Sequence, residues 1–160
     1  MIIDLARRNG RDLPLGCIVE FSDGDGVTCR ELLDDCGRYV EAATGFRTLC
    51  KDDDMHREMV LLAEPEELAD VAGEADACLL TCDIPTADYA DRLLATAAQS
   101  VALGGLVMLR ATVSDRVDAK PTTTWTTTEA LDAFRRAGLQ LQRIARTGRG
   151  DEVYCLARRP

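Results

Sequence analysis

The residues best suited to chemistry lie in a glycine-containing turn that follows an apolar run. The run "CIVEF" at 17–21 carries one carboxylate, Glu20, and the turn "SDGDG" at 22–26 contains Gly24 and Gly26. Glycines in such a turn let the backbone approach a ligand, and a helix that starts next offers free N–H groups. Alternatively, the glycines form only a tight connection and Glu20 only satisfies the turn. The stretch therefore predicts either a ligand-binding turn or a plain connection.

Three further residues are candidates for chemistry, and each has a structural alternative. Asp83 follows the apolar run "ACLLTC" at 77–82, where it is a candidate general base or substrate anchor, or else a cap for the next helix. The single histidine, His56, lies in "KDDDMHRE", a charged run typical of a solvated loop. Trp125, inside "PTTTWTTT", either stacks on a planar substrate or packs on the edge of the sheet.

Familiar motifs for metals and phosphates are absent from the sequence. The 7 cysteines are scattered and form no CxxC pair, so we expect them to act as small hydrophobic residues rather than zinc ligands. A calcium loop is excluded because Thr28 stands where the sharp turn requires glycine. Neither GxGxxG nor GxxxxGK[ST] occurs, which makes a phosphate cradle the weaker interpretation of the turn. We therefore expect no metal site.

Short apolar runs alternate with helical periodicity, a pattern typical of an α/β sheet. The apolar runs predict strands at 17–21, 38–43, 59–63, 77–82 and 105–111, and two further strands at 139–146 and 152–159 close the chain. Strands with apolar residues at nearly every position belong in a parallel sheet covered on both faces. Helical spacing predicts four helices that carry Cys29 to Cys36, Leu68 to Ala75, Tyr89 to Val101 and Leu131 to Ala137. Gly37 and Gly138 are predicted to end the first and last of them, and Thr86 is predicted to cap the third. The elements predict one domain over 1–160, with a seven-stranded, mostly parallel sheet whose last strand is antiparallel.

Composition and charge exclude several classes of protein. The chain has 160 residues, which is enough for one domain with a core, and its net charge is −9. Such a surface repels phosphate backbones and anionic lipids, so no nucleic-acid or membrane partner is expected. The sequence contains no apolar stretch as long as a membrane span, and its first residues lack a secretory signal. We therefore expect a soluble, cytoplasmic protein.

The stretch "VEFSDGDG" at 19–26 resembles motif I of class I S-adenosylmethionine-dependent methyltransferases. Glu20 takes the acidic position, and Gly24 and Gly26 take the second and third glycine positions. At matching intervals, "LLAEPEEL", "ADACLLTCDIP" and "VALGGLVMLRA" are similar to the family's motifs at strands three, four and five. "ALDAFRRAGLQLQRI" and "VYCLARRP" resemble its closing helix and last two strands. The resemblance covers about residues 15–160 and implies a three-layer Rossmann-like methyltransferase fold with S-adenosylmethionine as cofactor.

The resemblance also implies which residues would bind that cofactor. They follow or end the first four strands and are Glu20, Ser22, Asp23, Gly24, Gly26, Thr44, Glu64 and Cys82. Glu64 takes the place of the acid that contacts the adenine, although it also has the position of a helix N-cap. Asp83 is the candidate catalytic base.

The chain departs from the family pattern at two positions beside the expected cofactor. Ser22 replaces the first glycine of motif I, which narrows the space there. Ala43 or Thr44 stands where the family has an acid that binds both ribose hydroxyls, and losing that carboxylate should cost a few kcal/mol, by order of magnitude. Glu41 lies slightly early, where strand alternation can point it away from the site.

Two functions remain open from the sequence. The first is a small methyltransferase that acts on a small-molecule acceptor. The second is a non-catalytic, methyltransferase-like regulatory or scaffolding protein that has lost cofactor binding, as the two departures suggest. Only about fifteen residues precede the first strand, so a loop, a partner protein or a second copy of the chain would have to cover the cleft, or nothing covers it.

Overall fold

The computed structural model describes residues 2–22, 32–44, 57–82, 86–112, 127–146 and 152–160. The strands are β1 (Leu15–Phe21), β2 (Cys36–Ala43), β3 (Arg57–Leu61), β4 (Ala75–Leu80), β5 (Val101–Thr112), β6 (Gln140–Arg146) and β7 (Glu152–Arg158). The α-helices are α1 (Ile2–Arg8), α2 (Leu68–Ala72), α3 (Ala87–Ser100) and α4 (Thr127–Arg136). Two 3₁₀ turns occupy Leu33–Asp35 and Pro65–Glu67.

All seven strands form a single sheet in the order β3-β2-β1-β4-β5-β7-β6. Strands β1 to β5 pair in parallel, whereas β7 runs antiparallel to both of its neighbours, β5 and β6. The predicted mostly parallel sheet with an antiparallel last strand is therefore confirmed. Because β2 and β3 lie on one side of β1 and β4 and β5 on the other, the strand order reverses between β1 and β4, which is where open α/β sheets bind ligands.

Helices cover both faces of this sheet and make three layers. On one face, Phe21 of β1 lies in a core cluster with Leu93 of α3 and Phe134 of α4. On the other face, Ile2 of α1 lies in a cluster with Ile18 of β1. Successive side chains of a strand point to opposite faces, so a strand buried between two layers needs apolar residues at most positions. This requirement explains the nearly continuous apolar runs of the sequence.

The predicted ends of two helices are confirmed by their local geometry. The hydroxyl of Thr86 accepts the backbone N–H of Tyr89 at 3.2 Å, which caps the first turn of α3. Gly138 has a φ of 74°, in the left-handed region that favours glycine. The next residue, Leu139, donates its amide to the carbonyl of Phe134 at 2.9 Å, which closes the end of α4.

Four residues predicted on or next to helices lie instead in strands. Cys36 and Gly37, predicted as the last turn and stop of the first helix, are the first residues of β2. Ala75 begins β4 and Val101 begins β5, and these two residues pair with each other across the strands. Their helical spacing was misleading because the sheet, which buries Cys36, Ala75 and Val101, decides the state of short segments.

The helix α1 was not predicted from the sequence. Its seven residues are too few to show a helical period, yet Ile2, Ile3, Leu5 and Ala6 are all buried against the sheet. Within the described residues, neither α1 nor any other helix is long and apolar enough to cross a membrane.

Candidate functional site

The candidate site lies where the carboxyl ends of β1 and β4 meet, at the reversal of strand order. The amide of Thr81, just after β4, donates to the carbonyl of Phe21 at 3.0 Å, so Thr81 is still tied to β1. One residue further, the amide of Ser22 donates to the carbonyl of Ala42 at 3.0 Å, so Ser22 is tied to β2 instead. The end of β1 is thus bonded to β4 on one side and to β2 on the other, at the position where open α/β sheets bind ligands.

Glu20 is a buried carboxylate held by donors from both neighbouring strands. Its side chain is 1% exposed, and the hydroxyl of Thr81 donates to its Oε1 at 2.5 Å. The hydroxyl of Tyr39, from β2, donates to its Oε2. Val19 and Phe21 face the larger core, so Glu20 faces the opposite side of the sheet, where α1 packs. A carboxylate this deeply buried is tolerated only because hydroxyl groups replace its water shell.

A second buried carboxylate, Glu41 of β2, lies beside the first. Glu41 pairs with Glu20 in the strand register and is 2% exposed. The hydroxyl of Ser22 donates to Glu41 Oε1 at 2.7 Å. Strand alternation therefore does not turn Glu41 away, because register-paired residues of adjacent strands face the same side of the sheet. The serine that replaces the first glycine of motif I is the hydrogen-bond partner of this acid.

A guanidinium group extends the same polar row to β5. Arg110 is half-buried, and its Nη2 donates to the carbonyl of Thr81 at 2.9 Å. Thr81 therefore contacts Glu20 through its hydroxyl and Arg110 through its carbonyl. We call these residues the polar row. It crosses the carboxyl ends of the strands from β2 to β5 and consists of Glu41, Ser22, Glu20, Thr81 and Arg110. Sequence reasoning did not single out Thr81 or Arg110, although a lone arginine inside the apolar run "GLVMLRA" is a signal that could have indicated the latter.

The other residues predicted to bind the cofactor lie around this row at different depths. Cys82 follows Thr81 and is 6% exposed. Thr44 is exposed just after β2, and Glu64 is exposed after β3. Glu64 has the N-cap position of a 3₁₀ turn, but its side chain makes no capping hydrogen bond, so the structural alternative for this residue is not observed.

Several sequence predictions fall outside the described residues. They concern the candidate base Asp83, the turn residues Asp23, Gly24 and Gly26, and the two alternatives His56 and Trp125. Among the predicted site residues, Glu20 and Ser22 therefore lie together at the end of β1, whereas Cys82 lies after β4 in the core cluster that contains α3 and α4. Thr44 and Glu64 follow the outer strands β2 and β3.

Most of the described cysteines are buried in the core, and Cys17 is half-buried. Burial raises the pKa of the Cys78 thiol to about 12 and that of Cys155 to about 11, so both are protonated at neutral pH. Cys36 and Cys82 are buried as well, and the described cysteines are free thiols. Within the part of the chain that the structure describes, no group of three or more His, Cys, Asp or Glu side chains could hold a metal ion.

Comparison with known proteins identifies the fold. No protein-family model matches the sequence, and no curated protein sequence does either. Among solved structures, 1,6-didemethyltoxoflavin-N1-methyltransferase of Burkholderia thailandensis, with bound S-adenosylhomocysteine, matches with a TM-score of 0.73 and 16% identity, over 98% of this chain and 75% of its own. Two further matches are the pyocyanin biosynthetic protein PhzM, with a TM-score of 0.72 and 18% identity over 91% of this chain, and the [4+2]-cyclase SpnF, with 0.77 and 11% over 99%.

The chain has the Rossmann-like fold of class I S-adenosylmethionine-dependent methyltransferases, as the resemblance in the sequence implies. It spans 50% of the length of PhzM and 80% of that of SpnF. At these low identities the likeness concerns the fold alone, and SpnF bears the name of a cyclase, which is a different chemistry.

Proposed function

We propose that the protein is an S-adenosylmethionine-dependent methyltransferase that acts on a small-molecule acceptor. The observation that carries this proposal is the pair of buried carboxylates, Glu20 and Glu41, at the reversal of strand order. Carboxylates are the groups that hold ribose hydroxyls in strong, charge-assisted hydrogen bonds. Burial of two carboxylates near the carboxyl ends of adjacent strands costs desolvation free energy. This cost is a reason to expect a ligand there.

The residues of this edge fit an adenosine-bearing cofactor better than the sequence alone suggests. Glu41 offers the strand-two acid that Ala43 and Thr44 lack, and the hydroxyl of Ser22 would orient it. We infer that Glu41 binds the ribose, while Glu64 stays our candidate for the adenine and Asp83 for the base. Gly24 and Gly26, with Asp23, would bring the backbone to the cofactor, and Cys82 would line its pocket.

When bound, S-adenosylmethionine would supply an activated methyl group. The contribution of this chain would be to hold donor and acceptor in line and to keep water away, which is the larger part of catalysis for such a displacement. Because the net charge is −9, the surroundings favour a positively charged donor. The same charge supports our prediction that neither nucleic acid nor membrane is a partner, and the scattered cysteines support a cytoplasmic location.

Isothermal titration calorimetry with S-adenosylhomocysteine tests the proposal directly. We expect micromolar binding that weakens at least tenfold in Glu41→Gln, because the amide keeps the shape and the bond from Ser22 but loses the charge. Glu74→Gln, on an exposed side chain outside the site, is the matched control and should bind like the parent. Absence of heat and of any thermal shift at millimolar ligand would refute the enzymatic proposal.

A second candidate function, a non-catalytic regulatory or scaffolding protein, is supported by one observation. Glu20 and Glu41 already accept hydrogen bonds from hydroxyls of the chain itself, so the polar row can exist without a ligand. Under this alternative, a partner protein or a second copy of the chain would cover the cleft. Binding of the cofactor in calorimetry would exclude it.

A further inference from the structure

We propose that Arg110 binds an oxyanion, a carboxylate or a phosphate group, carried by the acceptor molecule. The inference rests on the proposed function for the identity of the bound molecule, and it names the chemical class of that substrate. The oxyanion serves as an anchor and is not itself changed. The atom that is methylated lies elsewhere on the acceptor.

The first observation is that Arg110 has no carboxylate partner among the residues that the structure describes. Its single hydrogen bond to a described residue goes to the neutral carbonyl of Thr81, at 2.9 Å. Arg11, which is similarly half-buried, has its guanidinium 2.6 Å from a carboxylate oxygen of Asp76. Within the described part of the chain, the half-buried guanidinium of Arg110 has exchanged part of its water shell for a neutral carbonyl rather than for a charged group. An oxyanion beside Arg110 would supply that missing charge.

The second observation is where this cation lies. Leu109 pairs with Leu80 across β5 and β4, so the next residue, Arg110, is level with Thr81 at the carboxyl ends of the parallel strands. Thr81 in turn contacts Glu20, which places the guanidinium on the same edge as the proposed cofactor residues, two strands away from β1. A ligand fixed at Arg110 would therefore lie beside the cofactor rather than in its place.

The neighbour of Arg110 on β7 makes this position suitable for an organic anion. Tyr154 pairs with Arg110 across the antiparallel strands, so both side chains are on the same face of the sheet. Tyr154 is half-buried and packs against the core cluster that contains α1. An aromatic side chain next to a guanidinium offers an apolar surface beside the charge. Guanidinium groups bind carboxylate and phosphate oxygens in a planar, bidentate geometry. Such binding would also fix the orientation of the acceptor.

The chain contains a closely matched arginine that lacks the position of Arg110. Arg159 is also half-buried, and its Nη1 donates to the carbonyl of Val101 at 2.5 Å without a carboxylate partner among the described residues. It lies at the opposite edge of the sheet, where β5 begins and after β7 has ended. The lack of a carboxylate partner among the described residues therefore does not by itself distinguish Arg110 from Arg159. Arg110 differs because it lies at the carboxyl ends of the parallel strands, where the ligand is expected, and Arg159 is the natural control.

The test uses the full chain without cofactor, so that it does not depend on methyl transfer. Thermal shift and calorimetry would be recorded with sodium benzoate, inorganic phosphate and the neutral analogue benzamide at constant ionic strength. We expect benzoate or phosphate to raise the melting temperature, and benzamide to have no effect. The response to the two anions distinguishes a carboxylate from a phosphate group. The affinity should fall at least tenfold in Arg110→Gln, be partly retained in Arg110→Lys, and be unchanged in Arg159→Gln.

Three results would overturn the inference: no stabilisation by either anion, equal stabilisation by benzamide, or equal loss of binding in Arg159→Gln. Arg110→Lys keeps the charge, so it tests the site even where Arg110→Gln does not fold. Calorimetry with S-adenosylhomocysteine on the same samples separates the two proposals. Anion binding without cofactor binding would leave Arg110 as an anion site and remove the methyltransferase function. Cofactor binding without anion binding would support the methyltransferase function and overturn the assignment of Arg110 as an anion site.

Discussion

At the residue scale, the buried carboxylate of Glu20 depends on two hydroxyl donors that come from strands on either side of it. Tyr39 donates from β2 and Thr81 from the end of β4. A hydrogen bond adds only a modest net stabilisation, but a buried acceptor that loses its donor still carries the full cost of desolvation. The loss of either donor to Glu20 should therefore destabilise the fold. Tyr39 is itself fully buried, so water has no simple route to replace its hydroxyl.

Tyr39→Phe should therefore lower the free energy of unfolding by about 1–3 kcal/mol, although it removes a single oxygen atom. Urea denaturation followed by circular dichroism measures the change. Tyr154→Phe is the matched control, because Tyr154 is half-buried on the same face and has no hydrogen bond to a described residue through its hydroxyl. Equal stability of both variants would contradict the role assigned to Tyr39.

At the scale of elements, Asp76 joins the beginnings of β1 and β4 to the segment that leaves α1. Its Oδ2 accepts the amide of Gly16 at 2.7 Å and that of Cys17 at 3.2 Å. Its Oδ1 accepts Arg11 Nη1 at 2.6 Å. A Cβ on Gly16 would lie 2.9 Å from the Asp76 carboxylate, so any larger residue there would force this carboxylate to shift. One side chain thus fixes the start of the strand that carries Glu20.

Asp76→Ala should lower the free energy of unfolding by about 1–3 kcal/mol, because it removes the acceptor of three donors at once. The substitution lies at the amino edge of the sheet, so a folded variant should still bind S-adenosylhomocysteine with its parent affinity. Asp12→Ala, on an exposed side chain of the same connection, is the control and should be neutral. A neutral Asp76→Ala in urea denaturation would show that α1 and β1 are held together by packing alone.

At the scale of the whole molecule, one sheet joins two core clusters that share every central strand. Residues of β1, β4 and β5 belong to both clusters. Unfolding of the helices on either face would therefore expose apolar residues of strands that also support the core on the opposite face. The organisation of residues 1–160 as a single domain stays a prediction, and the shared strands lead us to expect that it unfolds in one step.

Unfolding in urea should follow the same transition whether it is monitored by circular dichroism or by the reaction of buried thiols. Burial raises the pKa of Cys78 to about 12 and that of Cys155 to about 11, so the reactive thiolate is scarce in the folded state at pH 8. Both thiols should react with Ellman's reagent only as the sheet opens. Two separate midpoints would show that the chain consists of independently unfolding parts.

Much of the fold was predictable from the sequence because the information is local. A strand buried on both faces needs apolar residues at nearly every position, and this made the central strands β1, β4 and β5 recognisable. Thr86 and Gly138 mark helix ends through side-chain chemistry that does not depend on distant residues. The short helix α1 and the strand starts at Cys36 and Ala75 were missed, because only packing against the sheet decides their state.

The sequence by itself determined the layered α/β fold and the position at which its strand order reverses, since both follow from the order and periodicity of the elements. Only the tertiary structure decided which polar side chains meet there. Ser22 and Glu41 are 19 residues apart, and Glu20 and Thr81 are 61 apart. Contacts between such distant residues depend on strand order and register, which come from the packing of the whole sheet and leave no local pattern to read.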